Sequence, residues 1–163
     1  MKRIICLILV FSFLLSGCTI SGVRIKDPVS FHYLCDHYQE KLCCVIASEQ
    51  REASGHVGDL SYLLALYLMG PVSEEMHTPL PAGTRIDARL DGNHVYLELM
   101  ETDESFSDID FSLACACLTL TTLDITGAED VTIRCGELEK TLNRTSISLT
   151  DITDVQIPTE DTQ

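Results

Sequence analysis

The stretch Thr84 to Met100, TRIDARLDGNHVYLELM, constrains this chain more than any other. Asp91-Gly92 is a two-residue hairpin signal, because the primed turns that join antiparallel strands need φ > 0 where these residue types tolerate it. With those two residues as the loop, Ile86 faces Leu97 and Ala88 faces Val95, apolar against apolar. The other side sets Arg85 against Glu98, Asp87 against Tyr96 and Arg89 against His94. A loop longer by one residue would put Arg89 opposite Val95 and mix the faces, so the pairing is tightly specified. The expectation is a two-stranded ribbon with one dry face and one wet one.

The chain begins with a segment that does not fit such a domain. Met1-Lys2-Arg3 is basic, and Ile4 to Leu15 is almost wholly apolar. That run is too short to span a bilayer as a helix but suits the apolar region of an export signal. It ends in Leu15-Ser16-Gly17-Cys18, which resembles the lipobox of bacterial lipoproteins. The resemblance implies a signal peptide over residues 1–17, a lipid on the Cys18 sulfur and cleavage before Cys18. It also implies residence on the extracytoplasmic face of the cell membrane, where two or more acyl chains hold firmly and one does not. Removing the signal takes away Lys2 and Arg3 and no acid, so the formal charge of −14 becomes −16. Such a chain does not bind nucleic acid by neutralising phosphates, and it is repelled by anionic lipid, so the anchor does the holding.

After a tether over residues 18–27, one domain is expected over 28–152, followed by an acidic tail over 153–163. Val29 to Cys35 alternates like a strand, and Leu42 to Ala47 reads as its hairpin partner. Ser48 to His56 is polar and reads as an exit from the sheet. Asp59 caps a helix to about Met69, with Leu60, Leu63, Leu64, Tyr67 and Leu68 on one stripe and Gly70-Pro71 as its stop. Val72 to Ala82 crosses to the central hairpin, and Met100 to Asp108 is an acidic loop. Ser107 or Asp108 caps a second helix, Ile109 to about Leu123. On it Leu113, Ala116, Cys117, Leu120 and Leu123 share a face, although Leu118-Thr119-Leu120-Thr121 alternates like a strand. Thr126-Gly127 ends it, Val131 to Cys135 is a further strand, and a last strand is placed near Ser146 to Leu149. The order β-β-α-β-β-α-β gives an α+β class: a mostly antiparallel sheet with two helices packed on one face.

Four segments in this order resemble the GerMN domain of sporulation and spore-germination proteins. They are Leu68-Met69-Gly70-Pro71, Leu80-Pro81-Ala82-Gly83-Thr84, Asp91-Gly92-Asn93-His94-Val95-Tyr96-Leu97 and Gly127-Ala128-Glu129-Asp130-Val131. The resemblance implies a compact α+β domain used for assembly or binding, with no catalytic residues and no cofactor. The chain differs from that pattern in its many cysteines, its single unit and its end from Glu139 onward.

Outside the anchor, six cysteines matter: Cys35, Cys43, Cys44, Cys115, Cys117 and Cys135. Cys35 and Cys43 lie on adjacent limbs of the first hairpin, a plausible disulfide geometry. Cys43-Cys44 on a strand point to opposite faces, and Cys115 and Cys117 on a helix diverge by about 200°. Neither pair converges on a metal, and buried thiols acting as small hydrophobes are the favoured reading. His32, His37, His56, His77 and His94 have no metal-ligand spacing and read as solvated. Ser54 and His56 share a loop with no nucleophile elbow, and Asp103-Glu104 with Asp108 and Asp110 lack the calcium-loop pattern. Asn143-Arg144-Thr145 matches a glycosylation sequon that means little in a bacterial lipoprotein. Two function classes follow. The first is a non-catalytic interaction module, membrane-anchored through Cys18, with a protein partner in sporulation, germination or envelope assembly. The second is an extracytoplasmic binder of a small ligand or metal, using the cysteines or a pocket between helix and sheet.

Overall fold

The computed structural model describes residues 26–35, 45–100 and 106–147. The expected signal, Cys18, the tether up to residue 25, Cys43, Cys44, His37, Asp103-Glu104 and the acidic tail lie outside these residues.

The described chain forms β1 (Pro28–Cys35), β2 (Val45–Glu52), α1 (Leu60–Leu68), β3 (Met76–His77), β4 (Arg85–Asp91), β5 (His94–Met100), α2 (Asp108–Thr126), β6 (Asp130–Cys135), β7 (Leu138–Asn143) and a 3-10 turn, Arg144–Ser146. The α+β class and both helices stand as expected. The strands, however, are divided between two sheets, ordered β2-β1-β3 and β4-β5-β6-β7. Helix α2 packs against β1 on one side and against β6 and β7 on the other, while α1 packs against β4 and α2.

This position of α2 explains its mixed sequence pattern. Leu113 and Ala116, expected on the buried stripe, are only half-buried, whereas Cys117 through Leu123 are buried without interruption. A helix with a sheet on either side has no broad wet face to keep polar. Its 19 residues are long and apolar enough to cross a membrane, yet here they form the core of the domain. Ser107 caps the start, accepting from Asp110 N at 3.1 Å. Gly127 ends it at φ +69°, where its N–H reaches Leu123 O at 2.9 Å. Asp59 likewise caps α1, accepting from Tyr62 N at 3.0 Å.

One core joins the layers. Phe31 and Tyr33 from β1 meet Tyr67 of α1, with the Tyr33 and Tyr67 rings stacked at 4.7 Å and Phe31 edge-on to Tyr67 at 5.9 Å. Aromatic pairs of this kind contribute about 0.5–1.5 kcal/mol each beyond simple burial. Val95, Leu97, Val131 and Ile133 close the same core from the second sheet, against Phe111, Ala114 and Leu118 of α2.

Several boundaries differ from the sequence reading. Strand β2 runs on through Glu52, so 48–52 is sheet and not an exit from it. β2 is an edge strand, and charged residues suit an edge because they discourage pairing with other chains. Its Arg51 donates to Gly70 O at 3.1 Å, and Glu49 accepts from Val72 N and Ser73 N, which ties the edge to the chain leaving α1. The crossover carries a strand that the sequence did not reveal, β3, whose Leu34↔His77 and Cys35↔Met76 pairing is too short to leave a periodic signal. The last described strand is β7, formed by a hairpin at Gly136-Glu137, while Ser146 lies in the 3-10 turn and not in a strand.

The central hairpin keeps its two faces but changes its partners. Ile86 pairs with Leu99, Ala88 with Leu97 and Leu90 with Val95, so the loop is Gly92-Asn93 and not Asp91-Gly92. Moving a two-residue loop along by one residue shifts every partner by two, which returns each side chain to the same face. Hydrophobic alternation therefore cannot distinguish the two registers. Turn chemistry decides: only Gly92 takes positive φ, +61°, which is the sign pattern of a turn with glycine first.

Candidate functional site

The four-stranded sheet presents an open outer face. Its inner face carries Val95, Leu97, Val131 and Ile133 into the core, so the alternate residues of each strand face away from α2. Strand register assembles them into three rows that cross all four strands. One row is Asp87, Glu98, Arg134 and Glu139; the next is Arg89, Tyr96, Thr132 and Thr141; the third is Asp91, His94, Asp130 and Asn143.

Tyr96 is the middle of this surface. It is 41% exposed, with the Arg89 guanidinium 4.7 Å from its ring centroid and the His94 ring 4.2 Å away on a tilt. Cation–π contacts at such exposed sites contribute about 0.5–1 kcal/mol, enough to orient Arg89 but not to fix it. Arg134 approaches Glu98 at 3.7 Å, a loose pair between half-exposed groups. A shallow cleft of about 440 Å³ lies among Asp87, Arg89, Tyr96, Glu98, Arg134 and Glu139.

His94 links this face into a hydrogen-bonded chain. Its Nδ1 pairs with the Asp130 carboxylate, its Nε2 lies 3.0 Å from Thr132 Oγ1, and Thr132 Oγ1 lies 2.7 Å from Thr141 Oγ1. The order carboxylate, imidazole, hydroxyl is that of a nucleophile relay. Thr132 sits in β6 between two paired strands, so the flanking backbone N–H groups are used by the ladders and cannot stabilise an oxyanion. The arrangement holds the polar face in one geometry.

A second polar cluster lies at the opposite side of α2. His32 Nε2 is 2.8 Å from Asp124 Oδ2, and Arg144 donates to Asp124 Oδ1 at 2.5 Å. Burial alone would push the Asp124 carboxyl up, but hydrogen bonds and charge from His32 and Arg144 outweigh it and hold it below the usual carboxylate value. The cluster pins β1, α2 and the 3-10 turn together. His32 and His94 are thus engaged and part-buried, unlike the solvated histidines expected, because each finds a carboxylate on an element distant in sequence.

The other residues singled out in the sequence fall to structural roles. Cys35, Cys115 and Cys117 are buried and Cys135 half-buried. Burial pushes the Cys115 thiol up to about 12, despite the nearby Lys140 ammonium. Cys43, the proposed disulfide partner of Cys35, lies outside the described residues. Asp108 and Asp110 stand in the first turn of α2, where they complement the helix dipole. Asn143 accepts from Ser146 N at 2.9 Å and caps the 3-10 turn. Among the described residues no three His, Cys, Asp or Glu side chains are grouped to hold a metal ion. The sequence placed Arg85, Asp87, Arg89, His94, Tyr96 and Glu98 on the wet face correctly. It missed Thr132, Arg134, Glu139 and Thr141, which join that face only through the parallel β5–β6 pairing and the β6–β7 hairpin.

No protein-family model matches the sequence, and no curated protein matches it. Solved structures do. The chain superposes on the first GerMN domain of the sporulation protein GerM from Bacillus subtilis with a TM-score of 0.52 at 18% identity, covering 69% of this chain and 86% of that one. The tandem GerMN domains of the same protein give 0.49 at 13% identity, over 74% of this chain and 42% of the two-domain chain. A Clostridium perfringens protein described as a lipoprotein gives 0.44 at 13% identity, covering 72% and 89%. The two-sheet, two-helix domain described above is, by its fold, a GerMN-like domain.

Proposed function

We propose that this chain is a non-catalytic interaction module, held on the extracytoplasmic face of the cell membrane by a lipid on Cys18. It serves a protein complex in sporulation, germination or envelope assembly. The observation that carries this reading is the GerMN-like fold, in a domain whose second sheet leaves one whole face open and polar. Leu15-Ser16-Gly17-Cys18 after an apolar run supports the anchor. A tether to the membrane raises the effective concentration of the module for a membrane-bound partner, which compensates for a small interface. The alternative, a ligand or metal site built from cysteines, has less support, since the described thiols are packed into the core or half-buried at its margin.

Two experiments test the reading. Cys18→Ala is expected to abolish incorporation of labelled fatty acid and leave the unprocessed precursor; persistent labelling would sink the anchor assignment. Deleting the gene in its own organism is expected to lower spore yield, germination or envelope integrity. Normal values for all three, together with substrate turnover by the purified protein, would overturn the non-catalytic role.

A further inference from the structure

We infer that the open face of the four-stranded sheet docks a basic protein segment, one with lysines or arginines on both sides of an apolar residue that contacts Tyr96. This rests on the interaction-module reading above and assigns its surface and the chemistry of its partner.

The layout of the three rows carries the inference. The middle row places Arg89, on the edge strand β4, beside Tyr96 on the inner strand β5. Tyrosine and arginine are the residue types that concentrate binding energy at interface centres, because both offer large contact area together with a polar tip. The flanking rows hold carboxylates. The face carries five, Asp87, Asp91, Glu98, Asp130 and Glu139, against the three guanidiniums of Arg85, Arg89 and Arg134. Glu98 meets Arg134 in a loose pair at 3.7 Å and Asp130 is engaged by His94, while Asp87, Asp91 and Glu139 line the rims. The acidic rims thus keep acceptor capacity for an incoming cation. Loosely held exposed pairs of this kind exchange partners at little cost.

Charge also eliminates other occupants. A chain with a formal charge of −14 is repelled by anionic lipid headgroups and by nucleic acid phosphates. A cationic segment is drawn to the face and is oriented by the acidic rims on either side of Tyr96. The hydrogen bonds between His94 and Thr132 and between Thr132 and Thr141 hold these side chains in place, so docking requires little reordering.

The test uses the chain purified from its membranes in neutral detergent and a synthetic peptide with one phenylalanine flanked by lysines. Binding is expected to weaken with salt, and replacing the lysines by glutamine is expected to abolish it. The double variant Asp87→Asn, Glu139→Gln is expected to lower affinity about fivefold, as loss of two exposed charge contacts would. Tyr96→Ala is expected to lower it further. The charge-matched control Glu74→Gln, Glu75→Gln removes two exposed acids elsewhere and is expected to leave affinity within about twofold. Equal losses in the two double variants would overturn the inference, since binding would then follow overall acidity alone. Failure of the peptide to bind, or an unaltered affinity in Tyr96→Ala, would overturn it as well. If gene deletion has a phenotype that the Asp87→Asn, Glu139→Gln variant fully rescues, this face is not the docking surface while the interaction-module reading stands. If deletion has no phenotype, the wider reading fails whatever the peptide does.

Discussion

The hydroxyl of Thr121, in the buried middle of α2, accepts the backbone N–H of His32 at 2.9 Å. His32 pairs with Ser48 on one side of β1, but on the other side β3 reaches only Leu34 and Cys35. The exposed edge of β1 is therefore closed by a helix side chain where a strand would otherwise supply a carbonyl. The His32 carbonyl is closed in the same way, by the Tyr67 hydroxyl of α1 at 3.1 Å. A threonine in a helix interior is unfavourable by propensity alone. At this position it satisfies a sheet.

Thr121→Val is expected to destabilise the domain by about 1 kcal/mol or more, because it leaves a part-buried N–H without an acceptor while preserving volume. Thr121→Ser, which keeps the hydroxyl, is expected to recover a large part of that loss. Denaturant unfolding of the two variants beside the parent checks this. Equal stability of the valine and serine forms would show that the hydroxyl contributes nothing.

Gly92→Val is expected to cost roughly 1 kcal/mol or more, since a β-branched residue is strained at positive φ. Nothing crowds the position, so the loss would arise from the backbone and not from a clash. Asn93→Val, at a position without positive φ, is expected to cost less. The reverse order of unfolding midpoints would show that positive φ at Gly92 does not hold the turn.

Asp124→Asn is expected to destabilise the protein at neutral pH and to lose that effect in acid. The carboxyl is held below its ordinary value in the folded state, so its stabilisation is present above the unfolded value of about 3.9 and fades as pH falls through the lower folded value. Unfolding midpoints of parent and variant, measured from pH 7 downward, should converge below about pH 4. A gap that stays constant through that range would separate Asp124 from the acid response.

Native alkylation followed by peptide mass mapping is expected to leave Cys115 and Cys117 unmodified and to label Cys135 first among the described cysteines. Cys115 and Cys117 are fully buried, and the Cys115 thiol at about 12 offers almost no thiolate at neutral pH. All should react once the chain is unfolded. Rapid native labelling of Cys115 would mean that α2 opens readily from between the sheets.

Local signals sufficed wherever the physics is local. Asp59 and Ser107 start their helices through side-chain caps, and Gly127 ends one through positive φ, so the sequence by itself determined both helices closely. Alternation along β4 and β5 determined which of their residues are wet. Tertiary structure decided the rest. Alternation is unchanged by a two-residue shift in partners, so only the geometry at Gly92 selected the register of the hairpin. Cys117 through Leu123 carry no single apolar stripe because two sheets enclose them, a circumstance that no window of sequence contains. The outer face acquired Thr132 and Arg134 through a parallel pairing across α2 and Glu139 through the hairpin that follows, and Asp124 met His32 and Arg144 from two other elements. Contacts between residues far apart in sequence leave no periodic trace in either partner, which is why the surface offered for binding could be half seen in the sequence and assembled only by the fold.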